Sequence, residues 1–284
     1  MKRILSALLA LTLSLSLFAC GKQPVETPTE PATQPVTEAP TAPTAAPTQP
    51  TTEPPTEAPT APPVPEVTLA EVSTPYTDSD NTTVLQVDIT VPTSQALPQI
   101  EDYYRALLTD WQATYNLNRE EAVQRRAEFL ADGFDFNPWA VEITSDIVRN
   151  DGVTLSVLRE VYENFGGAYP MISYQAETFD VATQGRLLLG DLFAVAEEVY
   201  APRLREMIVA QMDQNEAQSG VVYYDFAREQ VMSLLEPMDF ALTEDALLLF
   251  YNDYVLAPHA AGLQHFYLPL ADLADLVKPQ YLTE

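Results

Sequence analysis

The chain has 284 residues, of which 46% are hydrophobic and 10% aromatic, enough for one sizeable globular domain plus appendages. It carries 41 acidic and 14 basic residues, a formal net charge of −27. Nucleic acid and anionic membrane surfaces are therefore poor partners, because binding either one requires a Lys/Arg patch that this sequence does not show. The charge favours a cationic partner, although acidity also serves solubility alone.

Residues 1–20 have the pattern of a targeting segment. Two basic residues precede an apolar run, residues 4–18, that is short for a membrane span. The run ends in Leu-Phe-Ala-Cys-Gly, which resembles the lipobox of bacterial lipoproteins, whose cysteine carries acyl chains such as palmitate. We therefore expect lipid attachment at Cys20 and a protein held at the extracellular face of the bacterial cell membrane. Cys20 is the only cysteine, so the rest of the chain cannot form a disulfide.

Residues 21–65 have the composition of a tether. Pro, Thr and Ala dominate the segment, and TEAPTAP occurs twice, at 37–43 and 56–62. Its only large apolar residues are three valines, too few to bury a core. We expect a disordered Pro/Thr-rich linker, followed by a globular domain at 66–284 with halves at about 66–162 and 163–284.

The sequence of the first half predicts both strands and helices. Alternating apolar residues predict a strand at 84–91, after a weaker one near 67–72. An amphipathic pattern predicts a helix at 100–115, and a capping box at Asn118 and Glu121 predicts a second helix to residue 130. Strands at 139–148 and 153–162 are joined by Asp151-Gly152, a hairpin signal.

The second half continues this alternation. A Gly-Gly turn at 166–167 precedes a predicted half-buried strand at 172–177, with Glu177 on its polar face. Asp191 is the predicted N-cap of a helix, which we expect to be interrupted at Pro202. A short helix to 235, a hairpin at 240–251, a strand at 263–268 and a closing helix at 270–277 follow. Together these elements predict an α+β fold, a mainly antiparallel sheet with helices packed on it.

No catalytic motif stands out. The two histidines, His259 and His265, are six residues apart, which is not the spacing of a helical zinc pair, and G-x-S-x-G is absent. We therefore expect no enzyme activity, no metal and no cofactor. A pair of carboxylates in a cleft, as in glycosidases, remains open because sequence alone does not reveal such a pair.

Two loops have the composition of a binding surface. Residues 165–170 and 253–262 combine small residues with aromatic ones, and exposed tyrosines are economical binding anchors. Our candidate ligand-binding residues are Tyr169, Pro170, Pro258 and His259. Inward packing is an equal alternative for Tyr169 and His259, and for Tyr254 it is the expectation.

The second half also resembles a known family. GGAYP at 166–170, FDVATQGRLLLGDLF at 179–193 and FALTEDALLLFYNDYVLAPHAAGLQHFYLPLADL at 240–273 are similar to the RsiV-like extracellular domain family. This family comprises two adjoining domains of unknown function, found in an anti-sigma factor and ahead of a peptidoglycan deacetylase. The resemblance implies an α+β fold and, from the best-understood member, lysozyme binding through surface loops.

Two departures limit what the resemblance implies. We find no transmembrane helix and no cytoplasmic sigma-binding segment, so we do not expect an anti-sigma factor acting by the same route. The chain also ends at Glu284, without room for a deacetylase domain. The expectation is a lipid-anchored, non-catalytic module that binds lysozyme or another cationic protein. The alternatives are a module that binds peptidoglycan or the cell wall, and a carboxylate-based cell-wall hydrolase.

Overall fold

The computed structural model describes residues 62–233 and 239–282. The predicted targeting segment, Cys20 and nearly all of the predicted tether lie outside this range. The first described residues contact the domain: the Asn150 side chain donates a hydrogen bond of 2.9 Å to the carbonyl oxygen of Pro65. Gly152, at φ +86°, leaves room for this segment: a Cβ there would lie 2.9 Å from the carbonyl oxygen of Pro62.

A five-stranded sheet forms the centre of the domain. Its strands lie side by side in chain order, and every neighbouring pair is antiparallel except β2 and β3. That pair is parallel because helix α1 crosses over the sheet between them. The bounds are β1 Thr68–Thr77, β2 Thr83–Thr93, α1 Pro98–Ala131, β3 Trp139–Asn150, β4 Thr154–Asn164 and β5 Met171–Asp180.

Helix α1 covers one face of this sheet. Alternate residues of β2 point at the helix and are at most 4% exposed: Leu85, Val87, Ile89 and Val91. The helix is continuous, so the predicted second start at Asn118 is wrong. Tyr115 and Ala122 are both buried in the core beneath the helix, and packing on either side of Asn118 keeps the helix intact despite the capping signal.

A second, three-stranded sheet packs on the opposite face. It consists of β6 Phe240–Leu242, β7 Ala246–Tyr251 and β8 Gln264–Pro269, all antiparallel. Buried hydroxyls join the two sheets. The Leu242 N–H donates to Ser156 Oγ over 3.0 Å, and the Thr178 hydroxyl donates to the carbonyl oxygen of Phe240 over 3.2 Å. Buried backbone groups of β6 thus obtain partners from β4 and β5.

Two more helices, α2 Glu197–Ser219 and α3 Ala227–Ser233, complete the domain. Leu204, Ile208 and Met212 of α2 are fully buried in a core shared with the second sheet. The layers are therefore α1, the five-stranded sheet, the three-stranded sheet and α2. This arrangement confirms the predicted α+β class.

Three predicted helix boundaries in this region are wrong. Helix α2 continues through Pro202, because Ala201 and Leu204 hold it on the core. Asp191 does not cap α2; it lies in a 3₁₀ turn, where its carboxylate accepts the Leu188 N–H. The predicted closing helix is only a 3₁₀ turn, Leu270–Leu273, after which Val277 forms a β-bridge with Phe193.

The strand β5 is buried on both faces over its second half, so the prediction of a polar face at Glu177 is also wrong. Glu177 is 3% exposed and forms a bidentate ion pair with Arg159, in which Arg159 Nη2 lies 2.6 Å from Glu177 Oε1. The Tyr103 hydroxyl donates to the same carboxylate, and the Arg159 guanidinium lies 5.2 Å from the Trp111 ring centroid. Burial and this carboxylate raise the pKa of Tyr103 to about 12.

Replacing Glu177 tests whether this buried pair holds α1 to the sheet. Glu177→Gln removes one charge and leaves the Arg159 guanidinium buried without its counterion, which costs about 3–5 kcal/mol. Urea unfolding of a soluble chain of residues 21–284 measures the loss. Glu160→Gln is the matched control, because Glu160 lies on the neighbouring strand but is exposed. A loss as small as that of the control would contradict the assigned role.

Candidate functional site

The two loops predicted as a binding surface lie against each other. Residues 165–170 join β4 to β5, and residues 253–262 join β7 to β8. The ring centroids of Tyr169 and His259 are 5.6 Å apart, and those of Tyr254 and His259 are 5.8 Å apart. We call Tyr169, Tyr254 and His259 the aromatic site.

One side chain aligns the two loops. Asn252, the residue after β7, accepts a hydrogen bond of 2.7 Å from the Tyr174 N–H and donates one of 3.2 Å to the Tyr174 carbonyl oxygen. Tyr174 lies in β5, an edge strand of the central sheet, shortly after the first loop. The amide therefore pairs with the open edge of β5 as another strand would, and it fixes where the second loop begins.

His259 is held by a carboxylate. Its Nδ1 lies 2.7 Å from Asp253 Oδ2, and the Asp253 side chain is only 9% exposed, whereas that of His259 is 31% exposed. Oδ1 of Asp253 is buried and has no hydrogen-bond partner in the described part of the chain. The aspartate thus orients the imidazole from below and leaves the ring edge at the surface.

Tyr254 is 59% exposed, so the expectation that it packs inward is wrong. Its backbone has φ +63°, a left-handed conformation that costs a non-glycine residue about 1–2 kcal/mol. Its ring lies nearly parallel to that of His259, at 16°. Such local strain is typical of functional sites, where the surrounding structure maintains it.

The other candidates differ in exposure. Tyr169 is 71% exposed, Pro258 is exposed and Pro170 is half-buried. Pro258 also lines a depression of about 350 Å³ together with Val222, which is 70% exposed, just beyond α2. Sequence reasoning missed Asp253, Tyr254 and Val222 as members of this surface.

The domain as a whole is strongly acidic. Residues 66–284 contain 36 acidic and 11 basic residues. Seven of the basic residues form ion pairs with carboxylates in the described ranges, so little positive charge is free at the surface: Arg105, Arg125, Arg126, Arg149, Arg159, Arg186 and Arg228. The field around the domain is therefore negative and attracts cations.

The second histidine lies outside the aromatic site. His265, in β8, stacks on the Tyr174 ring at 4.8 Å between centroids, and burial lowers its pKa. Over residues 62–233 and 239–282, no set of three or more His, Cys, Asp or Glu side chains is placed to bind a metal. Within the same ranges, no helix has the length and apolar character to cross a membrane.

Comparisons with known proteins find a family model and several solved structures, including two crystal structures. Residues 190–271 match the model of DUF3298, described as a protein of unknown function. A DUF3298 family protein from Pseudomonas aeruginosa is 20% identical, with a TM-score of 0.52, over 78% of this chain and 98% of that one. A member from Bacteroides fragilis is 16% identical, with a TM-score of 0.58, over 78% and 96%. A search of curated proteins finds no match.

At these identities the two structures establish the fold alone. The family match lies within the second half of the domain and includes the loop at 253–262 with Asp253, Tyr254 and His259. The chain therefore has the fold of the DUF3298 crystal structures, and its residues 190–271 are similar to the DUF3298 family model.

Proposed function

We propose that this protein is a bacterial cell-surface lipoprotein whose domain is a non-catalytic binding module for a cationic extracellular protein. The observation that carries the proposal is the meeting of two loops in a cluster of exposed aromatic rings on a strongly acidic domain. Lysozyme is the leading candidate, because it is a cationic protein and because the sequence resembles the RsiV-like family.

The aromatic site has the properties of a hot spot in a protein–protein interface, meaning a small group of residues that supplies most of the binding energy. Tyrosine brings a large contact area at a low cost in side-chain entropy, and Tyr169 and Tyr254 already lie at the surface. Asp253 holds His259 in place before a partner arrives, which reduces the ordering cost of binding. Truncating a hot-spot residue typically weakens the binding free energy by about 2 kcal/mol or more.

The charge supplies long-range attraction. A domain with 36 acidic and 11 basic residues accelerates its encounter with a basic protein, and salt weakens this effect because the Debye length is about 8 Å at physiological ionic strength. Charge therefore governs the association rate, while the rings govern how long the complex lasts.

Titration calorimetry tests the proposal. Residues 21–284 are expected to bind lysozyme, more tightly at low than at physiological salt. Tyr169→Ala, Tyr254→Ala and His259→Ala are each expected to weaken binding by about thirtyfold, from the loss of about 2 kcal/mol.

Tyr267→Ala is the matched control, because Tyr267 is 51% exposed on β8 and lies outside the two loops. It is expected to bind as the unmodified chain does. Absence of binding at both salt concentrations would refute lysozyme as the partner. Unchanged affinity in all three variants would show that the aromatic site is not the binding surface.

Anchoring through Cys20 is a separate part of the proposal, supported by the lipobox-like sequence alone. The full chain expressed in bacteria is expected to incorporate an acyl label and to fractionate with the membrane, because two acyl chains give stable attachment. Cys20→Ala is expected to lose the label and to leave the membrane or accumulate unprocessed. An unlabelled wild-type chain that fractionates like the variant would contradict the anchor.

A further inference from the structure

A second surface, away from the aromatic site, carries an independent inference. A cleft of about 490 Å³ lies between the C-terminal half of α1 and the start of the first loop. One wall is polar and the other combines aromatic rings with bare backbone. We call it the indole cleft; its lining residues are Glu121, Gln124, Arg125, Glu128, Trp139, Phe165, Gly166 and Gly167.

Trp139 offers this cleft an unused hydrogen-bond donor. The residue is 5% exposed, and its ring packs against Phe165 with 5.2 Å between centroids. Among the described residues, the hydrogen bonds include none from its Nε1–H. The indole N–H is a donor only, and Nε1 is not among the buried atoms that lack a partner, so it is open to water in the cleft. A ligand oxygen in the cleft would replace that water as the acceptor of the indole N–H.

Gly166 keeps the indole edge accessible. A Cβ at this position would lie 3.0 Å from Trp139 Nε1 and 3.6 Å from Cδ1, so any side chain would press on the donor. The residue also has φ +74°, which favours glycine over other residues. The turn and the open donor thus both require glycine here.

The wall of the cleft formed by α1 supplies both hydrogen-bond donors and hydrogen-bond acceptors. Glu121 and Glu128 are acceptors, Gln124 is both donor and acceptor, and Arg125 is a donor. Arg125 is oriented by an ion pair with Glu128, 2.8 Å from Nη1 to Oε2, and its guanidinium lies 5.1 Å from the Phe129 ring centroid. The planar polar groups of this wall therefore face an aromatic edge across a space of ligand size.

We propose that the indole cleft binds an uncharged saccharide. Each sugar hydroxyl donates and accepts at once, which matches carboxylates beside an indole N–H and a guanidinium. An anionic ligand would meet Glu121 and Glu128. A purely cationic ligand has only donors and offers the Trp139 N–H no acceptor. A neutral polyol satisfies both walls.

The first loop contributes residues to both the indole cleft and the aromatic site. Gly166 and Gly167 line the cleft, and Tyr169, two residues further, belongs to the aromatic site. The two proposed binding surfaces therefore share one loop but use different residues of it.

Two-dimensional ¹H–¹⁵N NMR tests the cleft. The chain contains two tryptophans, Trp111 and Trp139, so two indole N–H signals are expected, and Trp111→Phe assigns them. Titrating residues 21–284 with chitotetraose, an uncharged saccharide with hydroxyl and acetamido oxygens, is expected to shift the Trp139 indole signal saturably. The Trp111 signal, from a ring packed near the Arg159 guanidinium, is expected to stay in place.

Variants locate the binding. Gly166→Ala is expected to abolish the shift, because its Cβ meets Nε1. Gly220→Ala is the matched control: Gly220 has φ +68° but no atom within 4 Å of its Cβ position, so it carries similar strain without filling the cleft. Glu128→Gln keeps the size of an exposed side chain and is expected to weaken binding about tenfold, through loss of a hydrogen bond to a charged group.

Three results would overturn the saccharide assignment. The first is a Trp139 signal that does not move with chitotetraose. The second is a signal that moves with trilysine but not with chitotetraose. The third is an unchanged titration in Glu128→Gln. The Glu128→Gln arm decides the matter even if the glycine variant fails to fold.

Discussion

The pairing of one side-chain amide with the edge of β5 determines where the candidate site lies. Asn252 forms hydrogen bonds with both backbone groups of Tyr174. The buried hydroxyls of Ser156 and Thr178 form hydrogen bonds with the backbone of β6. Because buried backbone groups must find partners, these contacts fix the position of the second sheet on the first. The loop that follows Asn252 is thereby placed beside the loop that precedes β5. The aromatic site is a consequence of how two sheets are joined.

The sequence predicted the elements more successfully than their environment. Period-two alternation in β2 and the Asp151-Gly152 turn are local signals, and both hold in the structure. The errors at Asn118, Pro202 and Glu177 share a cause, because packing on a distant element overrode a local preference. Glu177 looked like an outward polar residue, but α1 covers that face of β5 and Arg159 supplies the charge that makes its burial tolerable.

The candidate site was predicted only in part, because contacts between distant parts of the chain also decide which residues form it. The composition of both loops marked Tyr169 and His259, but no local pattern shows that the two residues touch. Asp253 precedes His259 by six residues, and the chain turns between them, where the Val255 N–H donates to the Asn252 carbonyl oxygen, so that the carboxylate meets the imidazole. The exposure of Tyr254 follows from a positive φ that composition does not encode.

The central claim, that the two loops form one surface, can be tested without any ligand. The chain has two histidines, so His259 and the remote His265 give separate ring-proton signals in one NMR spectrum. Replacing Tyr169 by alanine removes a ring 5.6 Å from that of His259 and should shift the His259 signals, because the ring-current field of Tyr169 is lost. The His265 signals, from a ring stacked on Tyr174, should not move. Unchanged His259 signals would show that the loops do not meet as described.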